Sequence, residues 1–320
     1  MKKIILSLVA LFSMSANSFA DGLTATLQQG DNMQAFYGVD AFKQAYEKAD
    51  SGAIITLSAG NFNTIDSVAK SVTIIGNYAF TESAQTTFLS TLSVTVNNVT
   101  VEGIRFSGDV TIGAVSNLHI KRCYLNANLR CTANHTNTLI DECVVKCDYA
   151  VEKGYNYCIK NSTLQYFGAK NSTANIAYIT NCVIWNWYHS QPYAIYKNNV
   201  LGNDYTSTIT ADVNSEFYYN LFVNTYDIYK NTTVSFPNGC VNEGNTINKN
   251  YTEYFTSKSV YPASAMKVTK LGQDGKPVGI NGGTGFSVWP AIPRITSKTI
   301  DSSTDAEGKI NVKIAVKVQQ

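Results

Sequence analysis

The chain has 320 residues, with 25 Lys plus Arg against 23 Asp plus Glu, and only 15% of its positions are charged. Two of the lysines, Lys2 and Lys3, fall in a stretch read below as removable; without them the chain is formally neutral, which argues against nucleic acid or an anionic membrane surface as partner. At 44% hydrophobic, with 32 Asn and 20 Tyr, it has ample apolar material for a large core, and this excludes wholesale disorder.

Met1 to Ala20 read as a secretory signal peptide: Lys2-Lys3 at the start, the apolar run Ile4–Phe12, and Ser18-Phe19-Ala20 as a small-x-small cleavage site. The run is too short to span a bilayer, and no later segment reaches ~18 apolar residues, so no membrane span is expected. No cysteine lies near Ala20 to carry a lipid. The expected mature chain, from about Asp21, is exported: secreted, periplasmic or at the cell surface. Export permits disulfides, but the seven cysteines, at 123, 131, 143, 147, 158, 182 and 240, are odd in number and leave at least one unpaired. Their spacing does not match a zinc site, and no metal or cofactor is expected.

Residues 21–52 read as an N-terminal cap. Val39, Phe42, Ala45, Tyr46 and Ala49 fall at helical spacing, and Asp50-Ser51-Gly52 turns the chain into the apolar strand Ala53–Leu57. The bend Ser58-Ala59-Gly60-Asn61-Phe62 follows, and then a second strand and bend, Val72–Asn77.

From Val101 a six-residue pattern recurs, with copies at Val101–Phe106, Ile120–Leu125, Ile140–Val145, Ile159–Leu164, Ile179–Ile184, Tyr196–Leu201 and Tyr218–Val223. Spacing that stays near twenty while loops absorb a few residues is how a solenoid behaves. The first and sixth columns are apolar and face inward. Asn161, Asn181, Asn198 and Asn220 fill the third column, at a bend where Asn tolerates left-handed angles and stacked amides can bond between coils. Cys123, Cys143, Ser162 and Cys182 share the fourth and read as a stack of small buried residues. Glu102, Lys121, Asp141 and Lys160 alternate in sign down the second, and Arg122 lies one coil from Glu142 as a structural ion pair. The fold expected is all-β: a right-handed parallel β-helix over 53–250.

Residues 251–320 read as a C-terminal closing segment. Within it Ile310, Val312, Ile314, Val316 and Val318 alternate with Asn311, Lys313, Ala315 and Lys317, and with Ile295–Ile300 they suggest a β-hairpin.

The run of capping helix, Gly turn, apolar strand and Ala-Gly-Asn-Phe resembles the first coil of right-handed β-helix proteins of the pectin-lyase-like type, over roughly Gly38 to Asn250. The stretches Asp274–Gly283 and Pro290–Ile295 resemble the closing segment of small secreted β-helix proteins from Bacteroides-like gut bacteria. That group has no assigned activity, so the likeness implies an architecture and a habitat rather than a reaction.

Three functions are open. Hydrolysis needs two carboxylates ~5–10 Å apart, and the Asn-Thr-Asp, Asp-Asp and Gly-His-Gly motifs of pectin hydrolases are absent. Calcium-assisted lysis needs clustered carboxylates beside an Arg or Lys base, and the acidic residues are scattered between columns. Arg130, His135 and Lys153 are the best proton-transfer candidates for a polysaccharide lyase or glycoside hydrolase, against a reading as solvated loop residues. Asn281-Gly282-Gly283 reads as a glycine turn. The favoured reading is non-catalytic glycan interaction with a polysaccharide partner. Trp185, Trp187 and Tyr188, with Tyr166 and Phe167 one coil earlier, would form an aromatic strip, unless these rings face inward and fill the coil. A structural or adhesive surface rod is the third.

Overall fold

The computed structural model describes residues 22–80, 85–151, 154–169, 177–187, 193–203, 208–211, 213–224, 233–237, 239–250, 253–254, 268, 270–287, 294–300 and 312–317. The expected leader Met1–Ala20 lies outside them, as do Lys153 and Tyr188.

The chain winds as a parallel β-helix. One sheet stacks the short strands Ile54–Leu57, Thr73–Ile75, Thr100–Glu102, His119–Lys121, Leu139–Asp141, Tyr157–Lys160, Ala177–Thr180, Ala194–Lys197, Glu216–Tyr218 and Val241–Glu243, all parallel. A second sheet stacks the strands that follow each of these, from Gly60–Asn61 through Arg105–Phe106, Tyr124–Leu125, Val144–Val151, Thr163–Ala169, Val183–Trp187, Val200–Asn203 and Leu221–Asn224 to Thr246–Asn250. Ile120 pairs with Val101 on one side and Ile140 on the other, and Ile140 with Ile159, so the expected first column is a real stack. Val101, Ile120, Ile140, Ile159 and Ile179 are all buried, as are Phe106, Leu125, Val145, Leu164, Ile184 and Leu201 of the sixth column.

Between the two strands of a coil the backbone makes one left-handed step. The third-column residue carries it through eight successive coils: Gly103, Arg122, Glu142, Asn161, Asn181, Asn198, Tyr219 and Gly244, with φ between 46° and 69°. Gly and Asn occupy this region easily, whereas larger L-residues meet a steric cost of about 1–2 kcal/mol. Arg122 and Glu142 gain an offsetting interaction there. Buried Arg122 reaches Glu102 of the coil before at 2.9 Å and Glu142 of the coil after at 2.7 Å. The expected ion pair is therefore part of a buried row of three, with Arg122 between the two glutamates.

One copy of the repeat is displaced from its expected register. Tyr196 pairs with Phe217, and Leu201 with Phe222, so the seventh copy runs Phe217–Phe222 rather than Tyr218–Val223. A one-residue slip turns every side chain to the other face. Tyr219 at the left-handed bend (φ 57°) conceals the motif, because the Asn that matches the pattern comes one residue later. Asn220 consequently belongs to the fourth column, beneath Asn199.

That fourth column is the internal spine. Cys123, Cys143, Ser162 and Cys182 stack in it, fully buried, as expected. The Cys143 and Cys182 thiols donate to the carbonyls of Ile120 and Ile159 at 3.4 and 3.5 Å. In later coils asparagine takes over the same task. The Nδ2 groups of Asn199, Asn220 and Asn245 donate to Ile179, Tyr196 and Phe217 carbonyls at 2.7, 2.9 and 2.8 Å. Their oxygens accept the backbone N–H of Cys182, Asn199 and Asn220 at 2.8, 2.9 and 2.7 Å. The bonding amide ladder thus sits one column further in than expected. A second, external ladder, unforeseen, runs through the left-handed bends before the strands Thr100–Glu102, His119–Lys121 and Leu139–Asp141, where Asn117 donates to Asn98 and Asn137 to Asn117.

Both ends of the coil stack are closed with polar material, as solenoids require. At the start, the antiparallel strands Thr24–Gln29 and Asn32–Tyr37 cover the sheet edge, and the hairpin they form was not foreseen. The helix Ala41–Lys48 buries Phe42, Ala45 and Tyr46, and Lys70 Nζ closes its end by donating to the carbonyls of Tyr46, Glu47 and Ala49. At the far end the core is aromatic, with Tyr196 stacked on Phe217 at 4.8 Å. There the first column changes to exposed Asn242, which accepts from Asn245 Nδ2.

The closing segment runs back across the third-column bends. Gln273 N–H donates to Asn198 Oδ1, Asn161 Nδ2 to Thr284 Oγ1, and Ser287 N–H to Glu142 Oε1. Asn281-Gly282-Gly283 is the turn expected of it. A Cβ on Gly283 (φ 56°) would lie 2.4 Å from Asn181 Nδ2. Separately, Arg294–Ile300 and Val312–Lys317 form the expected antiparallel hairpin, a compact unit of its own.

The internal ladder predicts that Asn220→Ala orphans the Asn199 N–H and the Tyr196 carbonyl and costs about 2–4 kcal/mol. Chemical denaturation of the variant beside the parent checks this.

Candidate functional site

On the first sheet two columns face outward: the residue before the first column, and the second column. From the strand His119–Lys121 onward the second carries Lys121, Asp141, Lys160, Thr180, Lys197, Tyr218 and Glu243. Its charges cancel locally. Lys160 lies 3.3 Å from Asp141, Lys121 lies 3.8 Å from Glu142, and Tyr218 Oη donates to Glu216 at 3.0 Å. Burial holds His119, in the other outward column, below its ordinary pKa and so neutral at pH 7.

That other column reads His119, Leu139, Cys158, Tyr178, Ile195, Glu216 and Val241. Tyr178 is 43% exposed. One coil on, Tyr193 is equally exposed and lies two residues before Ile195, at the left-handed bend (φ 62°). Asn98, Asn117, Asn137, Asn156 and Asn214 hold that bend in other coils. A tyrosine there is strained, and strain of this kind collects where function needs a side chain held in place. In the next coil the corresponding positions are Asn214 and Glu216, with exposed Val213 beside Asn214, and exposed Val241 follows one coil later. Tyr178 could have been found from the sequence: strand alternation turns the residue before buried Ile179 outward. Tyr193 carries no such signal, because its role depends on the bend it occupies.

The rings expected to form the strip lie elsewhere. Phe167 and Trp187 pair across neighbouring coils and are fully buried, with Trp187 edge-on to Tyr196 and Phe217. Trp185 is turned outward but buried in a cluster with Val183, Val200 and Val223 of the coils and Val278 and Ile280 of the closing segment. Tyr166 is half-buried, and Tyr188 lies outside the described residues. The inward-facing alternative therefore describes Phe167 and Trp187, and no exposed strip assembles from the described members of the set.

The proton-transfer candidates are separated as well. Arg130 points to solvent and pairs with Asp109 at 3.0 Å. His135 is fully buried inside the coil, its Nδ1 2.9 Å from Thr138 Oγ1 and its ring 5.9 Å from that of Tyr157. Burial pushes its pKa down to about 4. Lys153 lies outside the described residues. Among the described residues no group of three or more His, Cys, Asp or Glu could hold a metal ion, and no helix is long and apolar enough to cross a membrane.

No family model, curated protein or solved structure matches the chain. The β-helix architecture stands on its strand pairing.

Buried, neutral His135 makes folding pH-dependent. A histidine whose folded pKa lies below its ordinary 6.5 supports the fold above that pH, and the support is lost as the pH falls from 6.5 toward about 4. Thermal unfolding across this window should show a smaller loss in His135→Gln than in the parent; equal losses would place the acid sensitivity elsewhere.

Proposed function

We propose that the protein is an exported, non-catalytic β-helix that holds a polysaccharide against the outer face of its first sheet. The observation that carries this reading is Tyr193, whose ring is thrown into solvent from a backbone position that asparagine fills in neighbouring coils. Tyr178 lies one coil away, and adjacent parallel strands are ~4.8 Å apart. Two exposed tyrosines, one on the stiff sheet and one at the bend entering the adjacent strand, suit the apolar faces of successive sugar rings, and their hydroxyls, Thr180 and the Lys197 ammonium supply hydrogen bonds at the rim. The leader expected in Met1–Ala20 supports binding outside the cytoplasm. The separation of Arg130 from His135 by the coil wall favours binding over turnover.

The strained bend supplies a test that separates binding from stability. Tyr193→Asn restores the residue used in other coils and should raise stability by about 1 kcal/mol through relief of the left-handed strain. Combined with Tyr178→Ala, it should abolish retardation of the mature protein in native gels containing soluble glycans. Retardation that persists in the double variant, or product release from the glycan, would refute the assignment.

A further inference from the structure

The geometry points to an uncharged polysaccharide as the ligand of the tyrosine row, an inference that rests on the glycan reading above and narrows it. From the strand His119–Lys121 to the strand Val241–Glu243, the outward columns of the first sheet hold Lys121, Lys160 and Lys197 against Asp141, Glu216 and Glu243. Cations and anions are equal in number. Lys160 is already committed to Asp141 at 3.3 Å and Lys121 to Glu142 at 3.8 Å. Beside the rings themselves the strand register sets one cation, Lys197, against one carboxylate, Glu216, which accepts from Tyr218 Oη. His119 adds no charge at neutral pH.

Recognition of a uronate or sulfated polymer works differently. It gathers unpaired cations on one face, so that the field attracts the polyanion and counterions are released on binding. Along this row each carboxylate of a polyanion would have to give up hydration opposite a surface with no net charge, a cost with nothing to offset it. An uncharged chain avoids that cost. It gains from covering Tyr178 and Tyr193 and from hydrogen bonds to neutral hydroxyl and amide groups on the same and adjacent coils, among them Thr180, Tyr218 and exposed Asn214. The apolar positions are interrupted by polar ones rather than merged into a continuous patch, which fits a ribbon of sugar rings better than the desolvated centre of a protein interface.

Native gels cast with hydroxyethyl cellulose, as the neutral polymer, or with polygalacturonate, as the anionic one, and run at low and high salt test this. Expected is retardation by the neutral polymer that changes less than twofold with salt and is lost in Tyr193→Asn with Tyr178→Ala, and none by polygalacturonate. Retardation by polygalacturonate alone, erased by salt and dependent on the two tyrosines, would overturn the uncharged class and leave the glycan reading intact. Retardation by neither polymer, with a purified protein partner captured through the same tyrosines, would overturn both.

Discussion

The structure depends on one backbone device, the single left-handed step after each strand of the first sheet from Thr100–Glu102 to Val241–Glu243. It lets a strand of three or four residues turn into the next while every residue of a column stays above its counterpart one coil away. Because that step recurs at Gly103, Arg122, Glu142, Asn161, Asn181, Asn198, Tyr219 and Gly244, the residue after it is always aimed at the interior. A thiol or an amide at that point reaches the first-column carbonyl of the preceding coil. The bend therefore creates the internal ladder, and the ladder holds the bend in register.

The same constraint explains the charge pattern. A solenoid brings each side chain against its column neighbours at strand spacing, where like charges are penalised and opposite ones favoured. Glu102, Arg122 and Glu142 pair even while buried, and Lys160 with Asp141 at the surface, so charge is balanced locally from coil to coil. Stacking alone would give a neutral face. What stacking does not require is an exposed tyrosine at a bend that asparagine holds in other coils; exposure distinguishes Tyr193 from Tyr219, which is half-buried at the other left-handed bend with Lys270 over its ring.

Much of the architecture was legible because the physics is periodic. Val101, Ile120, Ile140, Ile159 and Ile179 repeat at nearly constant spacing, and the cysteine stack follows by counting. The reading slipped where the bend residue was atypical: Tyr219 hid the frame of its coil, and Asn220 was assigned to the column beside its own. The aromatic residues were legible as a group but not in direction. Trp185 and Trp187 are two apart and would share a face in a regular strand. Here Trp187 enters the core beside Tyr196, while Trp185 lies under Val278 and Ile280 of a segment nearly a hundred residues away. No local pattern encodes that cover.

Selective thiol labelling of the native protein, read residue by residue by mass spectrometry, tests the column assignment most directly. Cys123, Cys143 and Cys182 are buried on the spine, and burial pushes the Cys123 thiol up to about 12, while Cys158 and Cys240 are partly exposed. The account predicts labelling of Cys158 and Cys240 in the native state and of the three spine cysteines only after unfolding. Native-state labelling of Cys123, Cys143 or Cys182 at the rate of Cys158 would contradict it.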